Sequence, residues 1–189
     1  MKSLLRKQML DKRLSLSAKE VKTKSELIVS KLENMLEFKA AKNILCYVSF
    51  NNEVDTIALI KKYLLTKSKS IIVPKVIGNK LALFKINNFS DLALGKFNIL
   101  EPIKGELFDL TNLTASDIIL VPGVAFDLEH NRIGYGKGYF DKLLAKIITM
   151  KEKSPKIIAL AFELQIVDKI NAEQHDIKVD KIITEKRII

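Results

Sequence analysis

The chain has 189 residues, a formal net charge of +10 and a pI near 9.5, with 48% hydrophobic and 29% charged residues. That length supports one substantial core, and that balance excludes an intrinsically disordered chain. A single cysteine excludes an internal disulfide framework, and no apolar run approaches the ~20 residues needed to span a bilayer.

The positive charge invites a nucleic-acid or anionic partner, and residues 1–39 carry ten Lys/Arg against five Asp/Glu. It reads equally as the solvated helix faces of a Lys-rich composition. Cys46 lies in the apolar run "NILCYVSF", which predicts a buried thiol without His or Cys partners for metal or nucleophilic chemistry. The N-terminus "MKSLLRKQMLDKR" lacks the apolar core of a signal peptide, so a reducing, cytoplasmic setting is expected.

In chain order, Ala18, Val21, Ile28, Leu32 and Leu36 recur at helical spacing, and Ser17 with Glu20 matches a capping box. One helix over 17–38 is predicted, with a shorter one before it. "NILCYVSF" and "SIIVP" read as short buried strands flanking a helix that Asp55 caps and on which Ile57, Ile60 and Leu64 share a face. Strand, helix, strand is the order of a parallel α/β sheet. Gly78-Asn79 suits a hairpin turn, and "DIILVPG" reads as a central strand buried on both faces. Phe140, Leu143, Leu144, Ile147 and Ile148 form a helical stripe, and "KIIALAF" supplies a further strand. With no internal repeat or linker, residues 1–189 form one α/β domain with three α/β/α layers and an open, mainly parallel sheet.

Between the central strand and the last stripe lies "NRIGYGKGYFD", which holds three of the chain's seven glycines. Such a loop offers backbone N–H groups and a helix N-terminus to an anion. Arg132 can contact phosphate oxygens bidentately, and Lys137 supplies a mobile point charge. Asp141 beside phosphates makes most sense as a Mg²⁺ ligand. Tyr139 replaces the last glycine of GxGxxG and no GxxxxGK[ST] occurs, so the common dinucleotide and P-loop motifs are excluded. Spacing alone leaves two readings, an anion site or a tight turn.

The stretch "VPGVAFDLEHNRIGYGKGYFDK" resembles the signature of the 5-formyltetrahydrofolate cyclo-ligase family, also called methenyltetrahydrofolate synthetases. Lys2-x-x-x-Arg6, "YVSFNNEVDT", "IVPKV", Glu101-Pro102 and "HDIKVD" accompany it in order, so the resemblance spans nearly the whole chain. It implies Mg-ATP-dependent conversion of 5-formyltetrahydrofolate to 5,10-methenyltetrahydrofolate, with ADP and phosphate released. It further implies ATP contacts at Lys2, Arg6, Arg132, Ile133, Gly134, Tyr135, Gly136, Lys137, Gly138, Tyr139 and Phe140, with Lys137 and Arg132 catalytic. Magnesium ligands fall on Asp141 and Asp176, and folate contacts on Val48, Glu53 and Tyr139.

A pterin presents adjacent N–H donors that the Glu53 carboxylate can accept. Without the resemblance, Glu53 reads as an acid flanking the Asp55 cap, and Lys2 and Arg6 as a solvated face. His130 and His175 read as incidental surface residues. Phe140 stands where the family often has tyrosine, which removes a hydroxyl there. Asn131 stands where it often has glycine and is expected to tolerate the left-handed region.

Small-molecule substrates, no nucleic acid, no membrane and a monomer are therefore expected. A basic nucleic-acid-binding protein is the first alternative, disfavoured by 7% aromatics, no Trp and no zinc-finger or RRM motif. An α/β sugar-phosphate or acyl-group enzyme that does not use ATP is the second.

Overall fold

The computed structural model describes residues 2–95, 98–150, 154–173 and 175–189. The chain begins with α1 (Lys2–Leu14) and α2 (Ala18–Asn34). The capping box is present: the Ser17 hydroxyl accepts from the Glu20 N–H, and the Glu20 carboxylate accepts from the Ser17 N–H at 2.9 Å. The helix expected over 17–38 is divided, however. Met35 is extended, at φ −66° and ψ 139°, and a separate α3 (Leu36–Ala40) follows it. The break carries Met35 and Phe38 into the core and leaves Leu36, expected on the buried face, 79% exposed. An apolar period that resumes directly after one extended residue looks continuous in sequence.

Next come β1 (Asn43–Cys46), α4 (Ile57–Thr66) and β2 (Ser70–Ile77), with β1 and β2 parallel as expected. Thr56 takes the cap backbone position of α4, while the Asp55 carboxylate accepts from the Ile57 N–H at 2.8 Å. β3 (Lys80–Ile86) returns antiparallel through the Gly78-Asn79 turn, where Gly78 adopts φ +61°. β4 (Leu92–Leu94) and β5 (Leu100–Pro102) pair with each other, and β6 (Glu106–Leu107) lies along β3. β7 (Ile118–Val121), β8 (Ala125–Asp127), β9 (Arg132–Ile133), α5 (Tyr139–Met150), β10 (Lys156–Leu160), β11 (Ile166–Val167) and β12 (Lys181–Ile183) complete the order.

The main sheet runs β12-β10-β7-β1-β2-β3-β6. Its first five strands pair parallel, and β3 then β6 add through antiparallel pairs, the open, mainly parallel arrangement expected. Alternation along β7 sorts the layers. Ile118 and Leu120 join Ile28, Leu32, Phe38 and Ile60 on one face, while Ile119 and Val121 join Leu143, Leu144 and Ile147 of α5 on the other. All four β7 side chains are fully buried, which explains the unbroken apolar run.

A smaller sheet, β11-β8-β9, separates the central strand from the glycine loop. It packs against α1 through Met9, Val124, Ala125, Ile133 and Ile170. Its corner is held by Asp127, which is fully buried. One carboxylate oxygen accepts from the N–H groups of Glu129 (3.0 Å) and Asn131 (2.9 Å). The other accepts from the Asn131 side chain (2.9 Å) and the Ile170 N–H (2.8 Å). Burial alone would raise the Asp127 pKa, but these bonds outweigh it and hold the group below the ordinary carboxylate range. Asp127→Ala strands four donors, and chemical denaturation should report a loss of about 3 kcal/mol or more. A loss under about 1 kcal/mol would show that water replaces the carboxylate. At this corner the left-handed residue is His130, at φ +68°; Asn131 is instead buried and bonded to Asp127.

Candidate active site

Parallel α/β sheets bind ligands beyond the carboxyl ends of their strands. There lies a cleft of about 710 Å³. Tyr47, Val48, Phe50, Asn51 and Glu53 reach it from the segment after β1, Pro74 and Val76 from the far half of β2, and Pro122 from the end of β7. Leu81 and residues 98–101 form one further wall; Arg132, Gly134, Tyr135 and residues 137–141 form the other.

The glycine loop joins β9 to α5, with the Gly138 carbonyl accepting the first bond of the helix from the Lys142 N–H. Gly136 and Gly138 adopt φ +99° and +64°, a region costly for other residues, so a turn alone accounts for two of the three glycines. The helix N-terminus gives this rim a positive field. Arg132 is buried, pairs with the Asp141 carboxylate and donates to the Pro122 carbonyl at 3.4 Å. Its Nε atom is buried without a partner. Lys137 is exposed on the same rim, and among the described residues no ion pair holds it.

Two cations of α1, Arg6 and Arg13, reach this loop, and a third, Lys2, pairs with the segment at 173–176. Lys2 bridges Asp176 (2.6 Å) and Glu173 (2.9 Å). Burial works against the charge of Lys2, yet the Asp176 and Glu173 carboxylates raise its pKa above the ordinary value. Arg6 donates to the Gly134 carbonyl at 2.8 Å, with its guanidinium beneath Gly136. Arg13 is almost completely buried, 1% exposed, and donates to the Tyr135 hydroxyl and to the Asn51 carbonyl at 3.1 Å.

Glu53 is buried in the lining of the same cleft, against Tyr135 of the glycine loop. One oxygen accepts from the Tyr135 hydroxyl at 2.8 Å and the other from the Phe50 N–H at 3.1 Å. Burial pushes its carboxyl up to about 7, although Arg13, the Tyr135 hydroxyl and the Phe50 N–H oppose that shift. The turn carrying it needs consecutive left-handed residues, Asn51 (φ +46°) and Asn52 (φ +55°). The Asn52 side chain donates to the Leu16 carbonyl at 2.9 Å, tying this turn to the chain just after α1.

Of the residues singled out from sequence, Val48, Glu53, Arg132, Gly134, Tyr135, Lys137, Gly138, Tyr139, Phe140 and Asp141 line one cleft. Lys2, Arg6, Ile133, Gly136 and Asp176 are not among the lining residues; Ile133 clusters with Met9, and Lys2 and Asp176 pair with each other. Asp141 and Asp176 engage different cations, Arg132 and Lys2. Among the described residues no group of three or more His, Cys, Asp or Glu is arranged to hold a metal. Cys46 is buried, with its thiol pushed up to about 12 by burial, as inert as its apolar setting predicts. Sequence reasoning missed Arg13, although Lys2, Arg6, Met9 and Arg13 fall on one helical stripe.

An apolar cleft beyond the carboxyl ends of a parallel sheet, lined by a buried carboxylate and by cations beside a helix N-terminus, has the build of a small-molecule site for an anionic ligand in an α/β enzyme. The chain belongs to the 5-formyltetrahydrofolate cyclo-ligase family, which it matches over residues 1–185. It is 30% identical to a 5-formyltetrahydrofolate cyclo-ligase of Mus musculus, covering 96% of this chain and 92% of that one. It is also 30% identical to a Mycoplasma pneumoniae enzyme of the same name, covering 98% and 99%. Among solved structures, the 5,10-methenyltetrahydrofolate synthetase of Aquifex aeolicus superposes with a TM-score of 0.85 at 38% identity, covering 99% of this chain and 91% of that one.

Proposed function

We infer that this chain is an ATP-dependent 5-formyltetrahydrofolate cyclo-ligase. The observation that carries the reading is that the cationic glycine rim and the buried Glu53 face one cleft, in a chain matched by this family over residues 1–185. A formyl amide is a poor electrophile with a poor leaving group. Its oxygen takes the γ-phosphoryl group of ATP, ADP departs, and an iminophosphate results. The neighbouring secondary amine attacks the formyl carbon, loses its proton and expels phosphate, giving 5,10-methenyltetrahydrofolate.

In this reading Glu53 accepts the pterin N–H donors and Val48 and Tyr139 flank the ring. Arg132, Lys137, Tyr135, Tyr139, Phe140 and the N–H groups of residues 133–138 receive the nucleotide, Arg6 braces the loop through the Gly134 carbonyl, and Lys2 joins the nucleotide contacts from the start of α1. Lys137 and Arg132 offset charge on the transferring phosphoryl group. Asp141, a half-buried carboxylate on the cleft wall, would hold Mg²⁺, and the ion would supply charge neutralisation for the phosphates. Asp176, the second candidate ligand, is held by Lys2 and the Glu173 N–H at 2.7 Å. No helix among the described residues is long and apolar enough to cross a membrane. A cytoplasmic, monomeric enzyme is the expected form.

Incubation with Mg-ATP and 5-formyltetrahydrofolate should yield methenyl absorbance and phosphate in equal amounts. Phosphate release that ignores folate, or no turnover with both substrates, would remove this reading.

A further inference from the structure

We propose that Arg13 is a positioning residue for the folate end of the cleft, acting through the Tyr135 hydroxyl to hold Glu53 as a hydrogen-bond acceptor. The proposal rests on the cyclo-ligase reading above. A cation withdrawn from water is retained only where partners compensate it. Arg13 is 1% exposed and has no carboxylate within ion-pair reach among the described residues. Its two terminal nitrogens are compensated by the Asn51 carbonyl, the Gly123 carbonyl at 3.4 Å and the Tyr135 hydroxyl, while its Nε is buried without a partner. That hydroxyl accepts from Arg13 and donates to Glu53, so the three groups form a directed chain ending on the carboxylate.

The chain crosses three elements. Arg13 closes α1, Tyr135 belongs to the glycine loop, and Glu53 follows β1. Phe50 packs its ring on Tyr135 at 5.4 Å between centroids, which fixes the phenol over the turn that carries Glu53. Tyr135 is therefore committed by its hydroxyl to the folate end, although it sits in the loop assigned to the nucleotide. The titratable groups facing Glu53 are Arg13 from α1, Tyr135 from the loop and Tyr47 just beyond β1. Arg13 is the one that favours the ionised carboxylate by its charge, and a buried acid without it drifts toward the neutral form. A neutral Glu53 donates one hydrogen and meets pterin donors with a donor.

Two variants separate positioning from scaffolding. Arg13→Lys keeps a charge but not the fork, and Tyr135→Phe cuts the chain at a residue 37% exposed, so its loss spares the core. Infrared titration of the Glu53 carboxyl, taken as the difference from Glu53→Gln, reads the effect without turnover. In Tyr135→Phe the midpoint should rise by about one unit or more, and KM for 5-formyltetrahydrofolate near pH 7 should rise roughly tenfold, several times more than KM for ATP. Arg13→Lys should lie between wild type and Tyr135→Phe on both readouts. An unmoved midpoint in both variants, or equal rises in the two KM values, overturns the proposal. Absence of wild-type turnover would instead remove the cyclo-ligase reading, and the titration would still decide whether Arg13 acts on Glu53.

Discussion

Lys137→Ala is expected to lower turnover by roughly two or more orders of magnitude while leaving the melting temperature unchanged. The two cations of the glycine rim are held differently. Arg132 is buried and committed to Asp141 and the Pro122 carbonyl, so its position is set before any ligand arrives. Lys137 is exposed, and no ion pair restrains it among the described residues. An ammonium on a flexible stem can follow the phosphoryl group as it transfers, and its interaction strengthens as charge develops. Removal of such a group lowers kcat more than it raises KM for ATP. Because Lys137 is exposed and makes no hydrogen bond or ion pair among the described residues, the variant should unfold with the wild type in a denaturant titration. Near-normal turnover would take Lys137 out of the mechanism, and an effect confined to KM would reduce it to a nucleotide-binding residue.

The parallel sheet was legible because its strands are buried on both faces and read as short unbroken apolar runs, Ile118 to Val121 most clearly. The glycine loop was legible for a different reason: its cations and acid stand within a few residues of one another and leave few chemistries open. What stayed hidden is what the chain brings together from afar. β8 and β9 are three and two residues long, too short for a period, so the loop read as following the central strand directly. The Met35 break was invisible because the apolar spacing resumes on its far side. Arg13 was hidden by its type, since a cation in the last turn of a helix reads as a solvated complement to the helix dipole. Its burial depends on Tyr135, 122 positions away.

Glu53→Gln should raise KM for 5-formyltetrahydrofolate by roughly ten- to a hundredfold, since a charged acceptor facing ligand donors becomes a neutral amide. The same substitution should change how stability depends on pH, and in the opposite sense. Burial holds the folded-state pKa of Glu53 at about 7, above the ordinary value of 4.5. A pKa raised on folding contributes stability below the unfolded value, and that contribution is lost as pH rises through the folded one. Between pH 4.5 and 7 the ligand-free protein therefore loses, through this group, on the order of 3 kcal/mol. Glutamine does not titrate, so the stability difference between variant and wild type should move in the variant's favour across that window. A difference that stays constant with pH would mean that Glu53 is ionised throughout and that Arg13 fully compensates its burial. The expected pair of outcomes, weaker folate binding with a more stable apo-protein at neutral pH, follows from one physical fact. An acid kept away from water destabilises the empty cleft and is stabilised when a ligand supplies the missing donors.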